Sequence, residues 1–198
     1  MTATSLILPL AAYLIGSIST AIITCRLLGL RDPRTTGSGN PGATNVLRTG
    51  GKKAAIITLL GDMIKGLLPV LAGHWLHVTD QVLAATALAA FLGHLYPLYF
   101  GFKGGKGVAT AIGVLLGISG WLGLAVVGCW LVAFAVSRIS SLSALTASLA
   151  APFLAYWLLG SPWLVGAVAL MAVLIYWRHR SNIRNLIKGE EPRSNTRA

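Results

Sequence analysis

The chain has 198 residues, 55% of them hydrophobic and only 11% charged, with a mean hydropathy of +0.74. That excludes a soluble globular protein and fits one polytopic membrane domain over residues 1–198. The net charge of +11 would suggest nucleic acid in a soluble chain, but no soluble module and no basic stripe with interleaved aromatics carries it, so the sequence points to anionic lipid or an anionic substrate instead.

The N-terminus, MTATSLILPLAAYLIGSISTAIITC, lacks a basic n-region and a clear A-x-A cleavage site, so it reads as a retained helix and not as a signal peptide. Apolar segments follow one another at Ser5–Cys25, Ala54–Trp75, Val82–Phe100, Val108–Gly120, Trp121–Val136, Leu142–Leu159 and Trp163–Trp177. The fourth and fifth share one uncharged stretch, broken only by Ile118-Ser119-Gly120, and one long tilted helix is the alternative. Charge decides between the two. Arg26, Arg31, Arg34, Arg48, Lys52 and Lys53 lie in the first connection, Lys103 and Lys106 in the third, Arg138 in the fifth, and Arg178, Arg180, Arg184, Lys188, Arg193 and Arg197 in the tail. With seven spans all of these fall on one side; with six, Arg138 and the tail change sides. The expected fold is all-α, with seven transmembrane helices, the N-terminus outside and the C-terminus cytoplasmic. Trp75, Trp121, Trp163 and Trp177 sit near span ends, as interface anchors do. Cys25 and Cys129, in or beside apolar runs, read as packing residues and not as a disulfide or a zinc site.

Between the first two spans lies RDPRTTGSGNPGATNVLR, residues 31–48. Its glycines allow the backbone close to a ligand, and Ser38, Asn40, Thr44, Asn45 and Arg48 are donors suited to an anion. Gly37-x-Gly39-x-x-Gly42 matches a dinucleotide fingerprint on paper, but no strand precedes it and Pro41 lies inside it. The third connection, GFKGGKGVAT (101–110), resembles a phosphate loop but has the wrong glycine spacing, and Gly107 follows Lys106 where Ser or Thr is required. What remains is a glycine turn (Gly104, Gly105) with Lys103 and Lys106, leading into a helix N-terminus that favours an anion. Ser140 and Ser141, read alone, are a helix cap. In the tail, His179, Asn182, Ile183 and Leu186 share one helical face, with Arg180, Arg184 and Lys188 on another. Asp62 and Lys65, at i, i+3 within the second span, read as ion-pair partners facing the bundle interior. His74, His77 and His94 read as structural. Neither a Ser–His–Asp set nor a metal site can be drawn, and no cofactor is called for.

The stretches GSGNPGATNVLR (37–48) and GHLYPLYFGFKGGKGVAT (93–110), with His179-x-x-Asn182-Ile183, Gly16-Ser17-Ile18-Ser19 and Asp62-x-x-Lys65-Gly66, closely resemble the bacterial acyl-phosphate:glycerol-3-phosphate acyltransferases, the PlsY family. The resemblance covers essentially the whole chain. It implies a bacterial inner-membrane enzyme with a cytoplasmic active site. The implied reaction moves the acyl group of a fatty acyl phosphate to the 1-hydroxyl of sn-glycerol 3-phosphate, giving lysophosphatidic acid and inorganic phosphate. None of the histidines has Asp five positions on, unlike the His-x-x-x-x-Asp class of glycerolipid acyltransferases.

By matching positions, the resemblance makes Ser38, Gly39, Asn40, Thr44 and Asn45 a cradle for the acyl phosphate. Arg48, Lys106 and the Ser140–Ser141 pair become contacts to glycerol 3-phosphate and the transferred group's phosphate, with Lys103 able to replace Lys106 beside Gly104 and Gly105. His179 and Asn182 become site-closing donors, and Glu191 matches a tail acid. An acyl phosphate is already activated, so the protein has two anions to position and developing charge to stabilise. The expected base is the acyl phosphate's own phosphate, with His179 second. A transporter of a phosphorylated metabolite is the competing reading; it would place its site near mid-bilayer on broken helices.

Overall fold

Where the apolar runs become helices, and where they break, is set by a few polar and glycine positions. The computed structural model describes residues 3–193, and among them the structure is all-α, with no strand. Its helices are α1 Ala3–Gly16, α2 Thr20–Leu27, α3 Ala43–Trp75, α4 Asp80–Leu95, α5 Val108–Ile118, α6 Gly120–Ser137, α7 Ser140–Leu159, α8 Pro162–Arg178 and α9 Arg180–Lys188. Arg197, counted above among the tail bases, lies outside the described residues.

The first apolar run is two helices rather than one. The break at Ser17–Ser19 leaves the Ile18 carbonyl free of the helix ladder, and the Lys65 ammonium donates to it at 2.7 Å. Lys65 also pairs with Asp62 at 2.8 Å, and both are buried. The expected partnership inside the bundle is therefore present, and it bridges α3 to the α1–α2 break. An intramembrane charge needs such partners.

α3 begins at Ala43, not at Ala54, and Gly51 (φ 83°) interrupts it. Residues 43–48 are thus helical, and Arg48 stands on a helix and not in a loop. This stretch mixes Ala43, Val46 and Leu47 with Thr44, Asn45 and Arg48 and is too short for apolar periodicity to reveal it. α5 and α6 are separate helices, divided at Ser119, whose hydroxyl accepts from the Leu122 N–H at 3.4 Å. They pack against each other, which is the two-helix reading and not the single tilted one. α9 turns away from α8 by 59°.

Ala3–Leu27, Ala43–Trp75, Asp80–Phe100, Gly120–Ser137 and Ser140–Leu159 are long and apolar enough to cross a membrane, and α8 with α9 makes a sixth, bent candidate. α5, with 11 residues, is shorter. It is also the helix most enclosed by others. It packs on α3 so closely that a Cβ on Gly113 would stand 1.9 Å from the Met63 carbonyl. Such small-residue contacts drive helix association where both phases are apolar. Phe91, Leu95, Val114, Leu122 and Met171 fill the core between α4, α5, α6 and α8. Trp75, Trp121, Trp163 and Trp177 are exposed at or beside helix ends.

Candidate active site

α3, α5 and α7 begin around one cavity of about 350 Å³. Their N-caps are Gly42, Gly107 and Ile139, and none of the three has a side-chain cap hydrogen bond among the described residues. Gly42, Ala43 and Thr44 line the cavity from α3, Gly107, Val108 and Ala109 from α5, and Ser140 and Ser141 from α7. The first N–H groups of a helix have no intrahelical acceptor, and its dipole is positive at that end. Three such ends on one cavity make a strong anion site before any side-chain charge is counted.

The first loop is braced from within. Asn45, on the first turn of α3, is buried; its amide donates to the carbonyls of Pro33 at 2.8 Å and Thr36 at 3.0 Å. Its Oδ1 accepts from the Ser38 N–H at 2.9 Å. Asp32 and Arg34 form a fork-shaped ion pair, with the shortest N–O distance 2.7 Å. The hydrogen bond from Arg34 holds the Asp32 carboxyl below its usual range. The brace presents Ser38, Asn40, Thr44 and Arg48 to the cavity. Asn45 also lines it, but its amide donors are committed to the loop.

The second loop is held from outside. Gly104 and Gly105 are buried, and a Cβ on Gly104 would lie 2.0 Å from the His94 carbonyl. The Gly105 N–H donates to that carbonyl at 3.2 Å. Arg178, at the end of α8, donates through Nε to Gly105 O at 3.1 Å and through Nη2 to Gly104 O at 2.7 Å. This delivers Lys106 to the cavity, where it donates to Asn182 Oδ1. Burial pushes the Lys106 ammonium down from its usual range, and the nearby Glu191 opposes that shift.

The tail closes the ring. The 59° turn into α9 places His179 and Asn182 on the cavity, as their shared helical face leads one to expect. Glu191 accepts from Ser141 Oγ and from Asn182 Nδ2, each at 2.6 Å. Thr44 and Ser140 hydroxyls pair at 3.2 Å across the start of α3 and α7. His179 is buried, and its Nδ1 lies 2.8 Å from the Ile175 carbonyl. A carbonyl only accepts, so Nδ1 carries the proton and Nε2 of the neutral ring is bare. Burial, with a contribution from Lys106, pushes the imidazole down to about 4 despite that hydrogen bond.

Of the residues singled out in sequence, Ser38, Asn40, Thr44, Asn45, Arg48, Lys106, Ser140, Ser141, His179, Asn182 and Glu191 line the cavity. Gly39, Gly104 and Gly105 do not, and Lys103 is exposed away from it. Asp62 and His94 reach its floor, with His94 Nδ1 3.6 Å from Asp62 Oδ1. Sequence reading gave His94 a structural part but no partner. At its apolar end, Leu59 and Met63 of α3 and Val127, Trp130 and Leu131 of α6 line it together. A phosphate-sized anion and an apolar chain can therefore share the cavity.

The glycerol-3-phosphate acyltransferase family model matches residues 6–189. The chain belongs to the glycerol-3-phosphate acyltransferase family. It is 65% identical to the glycerol-3-phosphate acyltransferase of Thioalkalivibrio sulfidiphilus, over 94% of this chain and 92% of that one. It is 54% identical to that of Ralstonia pickettii, over 96% and 93%. A crystal structure of PlsY (YgiH), an integral membrane glycerol 3-phosphate acyltransferase, in its glycerol 3-phosphate form superimposes with a TM-score of 0.94 at 40% identity, covering 98% of this chain and 97% of that one. Its lysophosphatidic acid form gives 0.91 at 39%, with the same coverage. Membership of this acyltransferase family agrees with a helical membrane fold whose polar donors collect at one end.

Proposed function

We propose that the chain transfers the acyl group of a fatty acyl phosphate to the 1-hydroxyl of sn-glycerol 3-phosphate. The products are lysophosphatidic acid and inorganic phosphate, the first acylation of phospholipid biosynthesis. One observation carries the reading: three uncapped helix N-termini, Arg48 and Lys106 meet on a cavity whose other end is an apolar groove. That anion capacity suits two phosphates, and the groove suits an acyl chain. Leu59 and Leu131 at its edge are exposed, so the chain enters from the lipid between α3 and α6.

In this reading Ser38, Asn40, Thr44 and the α3 N-terminus hold the acyl phosphate, within the loop that Asn45 and Gly39 shape. Arg48, Lys106, Ser140 and Ser141 bring in glycerol 3-phosphate. His179, Asn182 and Glu191 close over both. The glycerol oxygen attacks the acyl carbon, the carbon–oxygen bond to phosphate breaks, and the hydroxyl proton passes to the departing phosphate. Positioning and charge stabilisation supply the rate. A histidine with a pKa of about 4 is a weak proton acceptor at neutral pH, and the Glu191 carboxylate is engaged by Ser141 and Asn182. Both facts favour the substrate's own phosphate as base.

The bases of the connections and tail support a site on the cytoplasmic side of a bacterial inner membrane, in a seven-span reading with the N-terminus outside. α5 is about 16 Å long, against a hydrocarbon core of about 30 Å. The site at its N-terminus is thereby recessed toward the lipid phase, where a soluble acceptor and a membrane-borne donor can meet. The whole chain acts as one domain, without a cofactor.

Purified protein given palmitoyl phosphate and labelled glycerol 3-phosphate is expected to release lysophosphatidic acid and phosphate in equal amounts. The same product from palmitoyl-CoA alone would overturn the donor assignment. Uptake of glycerol 3-phosphate into vesicles without product would support transport instead.

A further inference from the structure

We infer that Arg178 is a positioning residue for the reaction, acting on Lys106 through the carbonyls of Gly104 and Gly105. The inference rests on the reading of Lys106 as a substrate contact and goes beyond it, because Arg178 itself does not line the cavity. A basic residue closing a transmembrane helix ordinarily extends toward headgroups. Arg178 does something else. It is partly buried, its guanidinium stands 5.8 Å from the Tyr96 ring centre, and two donors on one edge reach successive carbonyls at 3.1 and 2.7 Å. Guanidinium is a planar, rigid fork, and two bonds from one edge fix the orientation of both peptide groups at once.

The opposite side of the turn is equally constrained. The Gly105 N–H is held by the His94 carbonyl at 3.2 Å, and a Cβ at Gly105 would lie 2.3 Å from His94 Nε2. His94 in turn stands against Asp62, which is paired with Lys65. The turn is gripped between the end of α4 and the end of α8, and the next residue is Lys106. A lysine on a flexible four-carbon stem is placed mainly by where its backbone is placed. A glycine turn has little stiffness of its own, so the grip supplies it.

The test is a double-mutant cycle on the full-length protein in detergent or nanodiscs, with R178K, K106Q and the pair. R178K keeps the charge near the site and removes the planar fork. It is expected to retain the wild-type Tm within a few degrees and to lose about ten- to a hundredfold in kcat/KM, the scale of a small misplacement of a catalytic group. In the K106Q background the same substitution is expected to change turnover and glycerol 3-phosphate affinity by less than about threefold, because its target is already gone. Full, independent losses in both backgrounds would overturn the inference, since a merely structural role multiplies. If R178K does not fold, Arg178→Gln, whose amide cannot reproduce the two-pronged contact to both carbonyls, is carried through the same cycle. Coupling to K106Q supports the grip, and independence overturns it. A K106Q protein with wild-type kinetics and affinity would sink the grip and the role of Lys106 together. The acyl-transfer reading is scored separately, on the wild-type protein.

Discussion

The two glycine-rich loops bring polar donors to one cavity and are built in opposite ways. The first carries its own scaffold: Asn45 ties Pro33, Thr36 and Ser38 together, and Asp32 grips Arg34, all within about one short stretch of chain. The second has no such brace of its own in the described contacts. His94 holds it from one side, and Arg178 holds it from more than seventy residues away, with separations of 73 and 74. A self-braced loop responds to a local change as a folding unit. A loop gripped from outside responds in its geometry, and so in catalysis. The two should therefore fail differently.

The largest effect is expected at the first loop's brace. Asn45→Ala strands two carbonyls and one N–H, each worth about 1–3 kcal/mol when buried without a partner. Partial hydration of a surface loop reduces the sum, and we expect a fall in Tm of about 5–10 °C with loss of activity. Asn45→Asp keeps the acceptor for Ser38 and loses both donors, so it should fall between. A wild-type Tm for Asn45→Ala would mean that the loop does not depend on this amide, and the contrast between the loops would collapse.

Gly104→Ala tests the other side. Its Cβ would meet a backbone carbonyl at 2.0 Å, which cannot swing away as a side-chain end can. Displacing the turn moves Lys106, and turnover should drop by about a hundredfold with a smaller Tm change than Asn45→Ala. Full activity would show that Lys106 tolerates a displaced backbone. Arg48→Ala then compares the charges. Losing a charge-assisted contact of about 1.5–3 kcal/mol should lower kcat/KM for glycerol 3-phosphate by about ten- to a hundredfold, without the Tm loss of the brace. Normal glycerol 3-phosphate kinetics would sink the role assigned to Arg48.

The same contrast explains what the sequence revealed. The first loop's glycines and donors stand next to the residues that organise them, so its concentration of polar donors was readable. Ser38, Asn40, Thr44 and Arg48 line one cavity, although Thr44 and Arg48 stand on α3 and not in the loop. The start of α3 at Ala43 was not readable, because the mixed stretch ahead of Gly51 is too short to show an apolar stripe. Nor was the break in the first span: the two serines of Gly16-Ser17-Ile18-Ser19 carry no charge and are compatible with an unbroken span, and the carbonyl freed there is met by Lys65 of another helix. Asp62 and Lys65 announced each other by spacing, whereas Arg178 looked like any interfacial arginine. Its partners are backbone carbonyls, which carry no sequence signal. Lys103 and Lys106 could not be ranked by composition. The grip on the glycines turns one into the cavity and leaves the other exposed.

His179 belongs to neither loop and sharpens the mechanism. With the proton on Nδ1 held by Ile175, Asn at this position can keep a donor to that carbonyl. If the substrate's phosphate is the base, His179→Asn should cost less than about tenfold in turnover and leave the pH profile in place; a loss of about a hundredfold or more would restore the histidine as base. Stability gives a second readout. The folded-state value of about 4 lies below the ordinary 6.5, so the unfolded chain binds more protons between those values. Wild-type stability is therefore fully present above about pH 6.5 and declines as pH falls toward 4. His179→Asn should flatten that part of the curve.

The smallest effect is expected at Asp32. The hydrogen bond and charge of Arg34 lower its carboxyl pKa in the folded state. The contribution is then present above the unfolded carboxylate value of about 3.9 and is lost as pH falls through the lower, folded value. Both side chains are about one-third exposed, at 32% and 33%, so solvent screening holds the pair to under about 1 kcal/mol. Asp32→Asn should cost a Tm change of no more than a few degrees at pH 7, and the difference from wild type should vanish in acid. Arg34 also reaches the Phe100 carbonyl at 3.4 Å, at the entry to the second loop. A loss of turnover in Asp32→Asn well beyond its loss of stability would mean that the first loop's brace also steadies the second, and the two loops would have to be treated as one mechanical unit.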